Sequence, residues 1–200
     1  MDKDDKEPGR LCKKKLIKKK FLEAYKKTSL NRIKVSDLIV VCGISRGAFY
    51  FHFDDVYDLY NECEKDMINF LEEGLPDINL VTLLRDRDKH LEVYSEYLSK
   101  YTGKKDLLKC FLNGSEESSF RRAWFDSIYR NFEHTLEFLS YPPSSKRKQL
   151  LLFFSGGILS LLSDWVLTEC KEPVEEIASI HEQVLYQGIL LLKSGNTLIK

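Results

Sequence analysis

The chain is 200 residues long, 43% of its residues are apolar, and its 31 basic and 31 acidic side chains balance. This length suits one large domain or two small ones, and this composition can fill a core. Five cysteines without C-x-x-C spacing and four scattered histidines exclude a disulfide framework and a clustered metal site, so we expect no metal and no cofactor. The N-terminus, MDKDDKEPGR, is charged and unlike a signal peptide, and we expect reduced, mostly buried thiols in a cytoplasmic protein.

The balanced total conceals an uneven distribution of charge. Residues 1–53 contain 14 Lys and Arg against 6 Asp and Glu, whereas residues 54–200 contain 17 against 25. Eleven basic residues and a single acid, Glu23, lie between Arg10 and Lys34. This distribution indicates a polyanionic partner for the N-terminal part and another task for the rest. A solvated, lysine-covered helix face is the alternative interpretation.

Helical periodicity runs through nearly the whole chain and predicts about nine helices. The first four are 11–29, 35–42, 45–52 and 55–73. Gly43 ends the second of them, while Ser45 and Asp55 are the expected N-caps of the third and fourth, with Asp58 completing a capping box. The run Ile39-Val40-Val41 favours a strand by propensity alone, against the helical pattern around it.

Five further helices are expected in the second half: 80–101, a short one between Gly103 and Gly114, 116–140, 145–169 and 173–193. The apolar run LLLFFSGGILSLLS, 150–163, is shorter than the ~20 residues that span a bilayer. We therefore expect a helix that is buried on most sides, and no membrane partner. Repeated runs with a period of two are not found, so the sequence predicts an all-α fold.

The stretch CGISRGAFYFHF, 42–53, fits two motifs. Gly43-x-Ser45-x-Gly47 matches the nucleophile elbow of serine hydrolases. A turn glycine, a capping serine and an arginine before a short aromatic helix also describe the reading helix of a helix-turn-helix. An elbow needs a preceding strand in a parallel sheet, and a basic helix precedes Ser45 instead. A hydrolase using Ser45 is therefore a remote alternative, and we expect that the protein is not an enzyme.

The segment from Val35 to Leu59, VSDLIVVCGISRGAFYFHFDDVYDL, resembles the DNA-binding domain of the TetR family of transcriptional regulators. The positions that match the family pattern are Val35, Leu38, Gly43, Ile44, Ser45, Gly47, Phe49, Tyr50, Phe53 and Leu59. The resemblance implies an N-terminal three-helix helix-turn-helix domain and a helical C-terminal domain for ligand binding and dimerisation. Residues 153–177 are similar to a subgroup that includes regulators linked to dihydroxyacetone kinase genes.

The resemblance also implies an order of domains along the chain. We place a disordered tail at 1–9 and the helix-turn-helix domain at 10–54. A connecting helix follows at 55–75, and the effector-binding and dimerisation domain occupies 76–200.

The motif implies a DNA-binding site in the first domain. We assign to it Lys34, Val35, Ser36, Ser45, Arg46, Gly47, Ala48, Tyr50, Phe51 and His52. Arg46 can pair with guanine or with phosphate. Family members often have a phosphate-binding lysine at the start of the fourth helix, where this chain has Val56 after Asp54 and Asp55. This departure lowers the expected phosphate affinity at that corner, and the lysines at 13–20 can compensate for it.

Two sets of residues are candidates in the second domain. Aromatic side chains at helical spacing predict a ligand pocket, with plain core as the alternative; they are Tyr94, Tyr97, Trp124, Phe125, Tyr129, Phe132 and His134. The last two helices carry small and apolar residues, and the family resemblance implies that these helices form a dimer interface, with the core of a monomer as the alternative. The candidate interface residues are Gly157, Leu161, Trp165, Val184, Gly188 and Leu191.

These features predict a homodimeric transcription regulator that binds a palindromic, double-stranded DNA operator. The expected regulator is a repressor that an unidentified small-molecule effector releases. The alternative is a TetR-like co-regulator that docks another protein and has little DNA binding of its own.

Overall fold

The computed structural model describes residues 7–75, 80–113 and 119–194. These ranges contain ten α-helices and no strand, which confirms the all-α prediction. The helices divide into two compact units, residues 1–67 and 68–200, and the division falls inside the predicted connecting helix. Of the predicted tail, residues 1–6 lie outside the described residues, and the first helix begins at Glu7.

The first unit consists of α1 (Glu7–Tyr25), α2 (Val35–Cys42), α3 (Arg46–Tyr50) and most of α4 (Val56–Glu72). A short 3-10 turn, Leu30–Arg32, precedes α2. Helix α1 ends four residues before its predicted end, because residues 26–28 form a turn and Ser29 is extended. The most deeply buried side chains of this unit are Ile17, Phe21, Leu38, Phe49, Phe53 and Leu59.

A left-handed glycine makes the turn between α2 and α3. Gly43 has φ 62° and ψ 36°, a conformation in which a Cβ atom would be strained. Its N–H donates to Val40 O at 3.1 Å, and the N–H of Ile44 donates to Ile39 O at 3.2 Å. These bonds close the last turn of α2 at its predicted end. The run Ile39–Val41 is helical despite its strand propensity.

Two aspartates begin α4 as the sequence predicts. Asp55 Oδ1 accepts the N–H of Asp58 at 2.8 Å, and Asp58 Oδ2 accepts the N–H of Asp54 at 3.1 Å. In the usual capping box the second carboxylate accepts the N–H of the cap residue itself, here Asp55. In this chain Asp58 accepts the N–H of Asp54, the residue before the cap. Carboxylates at this end also suit the helix dipole.

The second unit contains the end of α4 and six further helices: α5 (Leu80–Arg85), α6 (Arg87–Thr102), α7 (Lys105–Leu112), α8 (Ser119–Phe138), α9 (Ser145–Leu167) and α10 (Val174–Ser194). The single helix predicted over 80–101 is wrong. Asp86 interrupts it with an extended backbone, and its side chain accepts the N–H of Lys89 at 2.9 Å, so that a new helix starts at residue 87.

Helix α6 packs against α10, and α8 packs against α9. The buried side chains of these four helices include Tyr94, Leu98, Trp124, Phe132, Leu162, Trp165 and Leu185. Arg147 joins the end of α8 to the start of α9, because its guanidinium donates to Tyr141 O at 2.5 Å and to Glu133 O at 3.3 Å.

Helix α9 is buried on one side only, so the prediction that it is buried on most sides is wrong. Its outer side carries Phe153, 70% exposed, and Leu152. Helix α9 is long and apolar enough to cross a membrane. Core helices of soluble proteins meet the same criteria of length and composition. The prediction of mostly buried thiols is also wrong. The five cysteines, all within the described residues, form no disulfide; Cys63 is buried, Cys12 is exposed and the other three are partly exposed.

Candidate functional site

The N-terminal end of α3 is built by Ser45. Its backbone is extended, with φ −76° and ψ 157°, and its Oγ accepts the N–H of Ala48 at 3.2 Å. This is the N-cap that the sequence predicts. No strand precedes Ser45 in the described residues, which begin at 7, so a nucleophile elbow is not formed there.

Helix α3 has one buried face and one outward face. Phe49 is fully buried and fixes the helix on the core of the unit. The outward face of α3 is the side opposite Phe49. At 3.6 residues per turn, Gly47 and Phe51 each lie roughly 160° around the helix from Phe49, one on either side of the centre of that face. Because Gly47 has no side chain, nothing projects from the N-terminal end of that face. Phe51, at its other end, is 57% exposed. The outward face can therefore approach another surface closely at Gly47.

Two hydrogen-bonding side chains flank this outward face. Arg46 and Tyr50 are both exposed, and the Arg46 guanidinium carbon lies 5.6 Å from the centre of the Tyr50 ring. At this distance the cation and the ring attract each other, which holds the two side chains together. His52 is half-buried and packs against Phe51 at 5.1 Å between ring centres.

The start of α2 presents a second group of predicted residues. Lys34 and Ser36 are exposed and Val35 is half-buried. Two exposed apolar residues near the end of the same helix, Val40 (78% exposed) and Val41, were not predicted as part of the site. The strand-like run that contains them was the available signal, since a helix with a single buried residue, Leu38, leaves its other apolar side chains outside.

Two lysines of α1 form ion pairs within the first unit. Lys14 and Lys18 each lie 2.8 Å from Glu62 on α4, and Lys18 lies equally close to Asp66. Hydrogen bonds from the two lysines lower the pKa of Glu62 to about 2. The lysines of the 13–20 segment that remain exposed are Lys13, Lys15 and Lys19. Compensation for the missing phosphate-binding lysine depends on these three, not on the whole run.

Asp54, Asp55 and Val56, the residues that depart from the family pattern at the start of α4, stabilise the fold of the first unit. Val56 is 7% exposed and belongs to the core. Asp54 and Asp55 are exposed, and they take part in the hydrogen bonds that begin α4. This corner therefore presents carboxylates, which repel phosphate.

An inner cavity of about 30 Å³ lies within the second unit. Four residues of the predicted pocket line it: Tyr94, Tyr97, Trp124 and Phe132. The other three do not. Phe125 and Tyr129 stack on each other at 6.2 Å between ring centres, and His134 is exposed. The cavity is also lined by residues that were not predicted for the pocket, among them Tyr101, Asn131 and His181.

The outer side of α9 and α10 forms an apolar surface, which we call the α9–α10 face. It carries Phe153, Gly157, Leu161, Ile180 and Val184 around a groove of about 220 Å³. Three of these, Gly157, Leu161 and Val184, belong to the predicted dimer interface.

Two other predicted interface residues lie inside the protomer. Trp165 is 1% exposed, and its indole N–H donates to Glu172 O at 3.0 Å. Gly188 is covered by the Phe154 ring, which a Cβ atom at that position would meet at 2.1 Å. Trp165 therefore joins α9 to the segment before α10, and Gly188 lets α10 pack against Phe154 of α9 within one chain. The side chain of Leu191 lies outside the described residues.

Comparison with known proteins relates this arrangement to a family. The family model for the C-terminal region of TetR-type transcriptional regulators matches residues 88–187, half of the chain. The chain belongs to the TetR family of transcriptional regulators. No curated protein matches the sequence of this TetR-family member.

Solved structures of other TetR-family regulators share the fold. A regulator from Syntrophomonas wolfei is 16% identical with a TM-score of 0.62, and the match covers 86% of this chain and 94% of that one. The dihydroxyacetone kinase operon activator DhaS is 16% identical with a TM-score of 0.59, over 92% and 97% of the chains. A regulator from Pectobacterium atrosepticum is 15% identical with a TM-score of 0.50, over 94% and 95%. At these identities the likeness shows the fold.

Proposed function

We propose that this TetR-family chain is a cytoplasmic, homodimeric DNA-binding repressor. The observation that supports DNA binding most directly is the outward face of α3. The face has a glycine for close approach, and Arg46 and Tyr50 lie beside it as hydrogen-bond donors, on a helix capped by Ser45. A helix of this kind reads base edges in the major groove while the preceding helix contacts the backbone.

The proposed dimer follows from the geometry of DNA. A single helix-turn-helix reads one half-site, and a two-fold dimer places two reading helices about 34–36 Å apart on a palindromic operator. The α9–α10 face supports this proposal, since it exposes Phe153, Ile180 and Val184 together. Contiguous apolar surface of this kind is typical of an interface between proteins.

The proposed release mechanism uses the second unit. A small molecule that binds better to one of two states of the dimer shifts the population toward that state. If the favoured state has a different spacing between the reading helices, the operator affinity falls. The inner cavity, with its aromatic walls, is the candidate ligand site. The fold neighbour DhaS is named as an activator, so the sign of regulation is the first quantity to measure.

The decisive experiment is selection of genomic DNA fragments by the purified full-length chain at physiological salt. We expect enrichment of a palindrome with half-sites one helical turn apart. A reporter gene under this operator, with and without the chain, then shows repression as a loss of transcription. Absence of any enriched sequence contradicts DNA binding, and a gain of transcription contradicts the repressor.

A co-regulator that docks another protein is the second candidate. Val40 and Val41 favour it, because exposed apolar side chains on α2 suit a protein surface better than phosphate. The exposed carboxylates of Asp54 and Asp55 also favour the co-regulator, because they repel phosphate. A gel shift with the DNA upstream of the chain's own gene separates the two functions, since the co-regulator gives no shift.

A further inference from the structure

Three buried polar side chains of the second unit form a stack, which we call the His–Tyr cluster. His90 and Tyr94 come from α6 and His181 comes from α10; their exposed fractions are 1%, 2% and 5%. The rings of Tyr94 and His181 lie 3.9 Å apart with 18° between their planes. The rings of His90 and His181 lie 6.4 Å apart and nearly parallel.

Four polar atoms of the His–Tyr cluster have no hydrogen-bond partner among the described residues. They are both ring nitrogens of His90, the Tyr94 hydroxyl and His181 Nδ1. Buried polar groups almost always have a partner, so this concentration requires an explanation. The neighbouring phenols are satisfied: Tyr97 donates to Leu71 O, and its hydroxyl lies 2.7 Å from that of Tyr101. Of the seven buried side-chain atoms without a partner in the described residues, four belong to the His–Tyr cluster, and the other three are the hydroxyls of Ser127, Ser155 and Ser163.

Tyr94 and His181 both line the inner cavity, and His181 also lines the groove of the α9–α10 face, whereas His90 is not among the lining residues. The inner cavity therefore offers room for a partner of the Tyr94 hydroxyl and of His181 Nδ1. Its volume of about 30 Å³ exceeds the ~10–15 Å³ that one water requires. Trp124 and Phe132 supply apolar walls beside the unpartnered atoms. The inner cavity thus combines unpartnered polar atoms with aromatic walls, and it is large enough for one polar group of a ligand.

The lining of the inner cavity carries no formal charge. Asp, Glu, Lys and Arg are not among the residues that line it. Glu182, next to His181 in sequence, is held by Arg87 through two hydrogen bonds of 2.5 and 3.0 Å. Burial lowers the pKa of His181 to about 3, so its imidazole is neutral at neutral pH. An ion in this cavity would be buried without a counter-charge, which is strongly unfavourable.

The unpartnered Tyr94 hydroxyl and His181 Nδ1 define the hydrogen bonds that a ligand in the inner cavity must make. A neutral imidazole has one N–H donor and one acceptor nitrogen, and a phenol both donates and accepts. We propose that Tyr94 and His181 form the polar end of a binding site for a small uncharged molecule that carries a hydrogen-bond donor next to an acceptor, such as a hydroxyl or a carboxamide. The binding site does not depend on the proposed function, but the role of this ligand as the effector does.

Three probes of four heavy atoms and nearly the same shape test the ligand class on the full-length chain. Acetamide offers a donor and an acceptor, acetone an acceptor alone, and acetate a negative charge. The readout is the NMR signals of the histidine rings, titrated with each probe. We expect saturable shifts of the His181 signals with acetamide, binding of acetone weaker by about fivefold or more, and no binding of acetate.

A single-atom variant tests the assigned residue. Tyr94→Phe removes the hydroxyl and keeps the ring stack, so we expect it to weaken acetamide binding by about fivefold or more. Tyr141→Phe, outside the cavity, is the matched control and should leave the affinity unchanged. Circular dichroism checks that both variants are folded. If Tyr94→Phe is unfolded, the three-probe comparison on the parent chain decides.

Each remaining outcome contradicts a defined part of the inference. Equal binding of acetone and acetamide, or binding of acetate, overturns the ligand class. Failure of all three probes to shift the His181 signals means that water alone occupies the cavity and overturns the site. Operator affinity is measured in parallel by fluorescence anisotropy. Acetamide binding without any operator binding contradicts the proposed function and leaves the site standing, whereas operator binding that acetamide does not change overturns the effector role.

Discussion

Single residues divide the work of the first unit between folding and recognition. Phe49 is buried and holds α3 in place, while Arg46 and Tyr50 lie exposed beside the outward face. Ser45 belongs to folding through its cap. Because the two tasks fall on different residues, they can be changed separately.

Replacing Arg46 or Tyr50 with alanine should weaken operator binding without unfolding the protein. Loss of a base or phosphate contact costs about 1–3 kcal/mol, roughly five- to 150-fold in affinity. The measurement is fluorescence anisotropy on the selected operator at fixed salt, with thermal melting as the stability check. Arg122→Ala, an exposed arginine of the second unit, is the control. Unchanged affinity in both variants would remove α3 from the DNA contact.

Two glycines separate backbone strain from surface contact. Gly43 has φ 62°, whereas Gly47 lies in α3, and a Cβ atom at either position has no neighbour within 4 Å. Gly43→Ala should therefore lower the free energy of unfolding by about 1–2 kcal/mol. Gly47→Ala should raise it by about 0.5–1 kcal/mol through helix propensity, yet weaken operator binding because a methyl group stands on the outward face.

Urea denaturation and operator titration of the two glycine variants give the two quantities. A Gly47→Ala protein that binds the operator as tightly as the parent would show that DNA does not approach this face.

At the scale of elements, short helices depend on their neighbours. Helix α3 has five residues and could not persist alone, because nucleation of a helix is unfavourable. The Ser45 cap and the buried Phe49 hold it. The pairs of Lys14 and Lys18 with Glu62 join α1 to α4 on the surface of the same unit.

The Glu62 contact should make stability depend on pH in the acid range. Its pKa is lowered from 4.5 to about 2 in the folded chain, so the contact stabilises fully above pH 4.5, and this contribution is lost as the pH falls toward 2. The side chain is 40% exposed, so solvent screening limits the effect to about 0.5–1 kcal/mol.

Glu62→Gln should therefore lower the free energy of unfolding at pH 7 and leave it nearly unchanged at pH 2. Urea denaturation at the two pH values measures the difference, with Glu73→Gln, an exposed residue beyond the end of α4, as the control. An equal loss at both pH values would show that the charge of Glu62 is not what stabilises the contact.

At the scale of the whole molecule, the α9–α10 face determines the assembly that we propose. Phe153→Glu places a charge among Gly157, Leu161 and Val184, and burying it between two chains would be strongly unfavourable. We expect a dimeric parent, a monomeric variant, and operator affinity reduced by tenfold or more, about 1.4 kcal/mol. Light scattering after size exclusion reports the mass.

Phe138→Glu is the control for the assembly, since Phe138 is equally exposed but lies at the end of α8 and outside the groove. A parent that is monomeric, or a Phe153→Glu variant that stays dimeric, would exclude this face as the interface.

Local patterns in the sequence were enough to predict the all-α fold, the Gly43 turn, the Ser45 and Asp55 caps and the family. Each depends on residues a few positions apart, and a cap or a left-handed turn is determined by its own side chain. The tertiary structure alone decided which apolar and aromatic residues of a stripe face the core. It placed Trp165 and Gly188 inside the protomer, left Val40 and Phe153 outside, and brought His181 of α10 against Tyr94 of α6. These placements depend on contacts between helices distant in sequence, which a helical period does not specify.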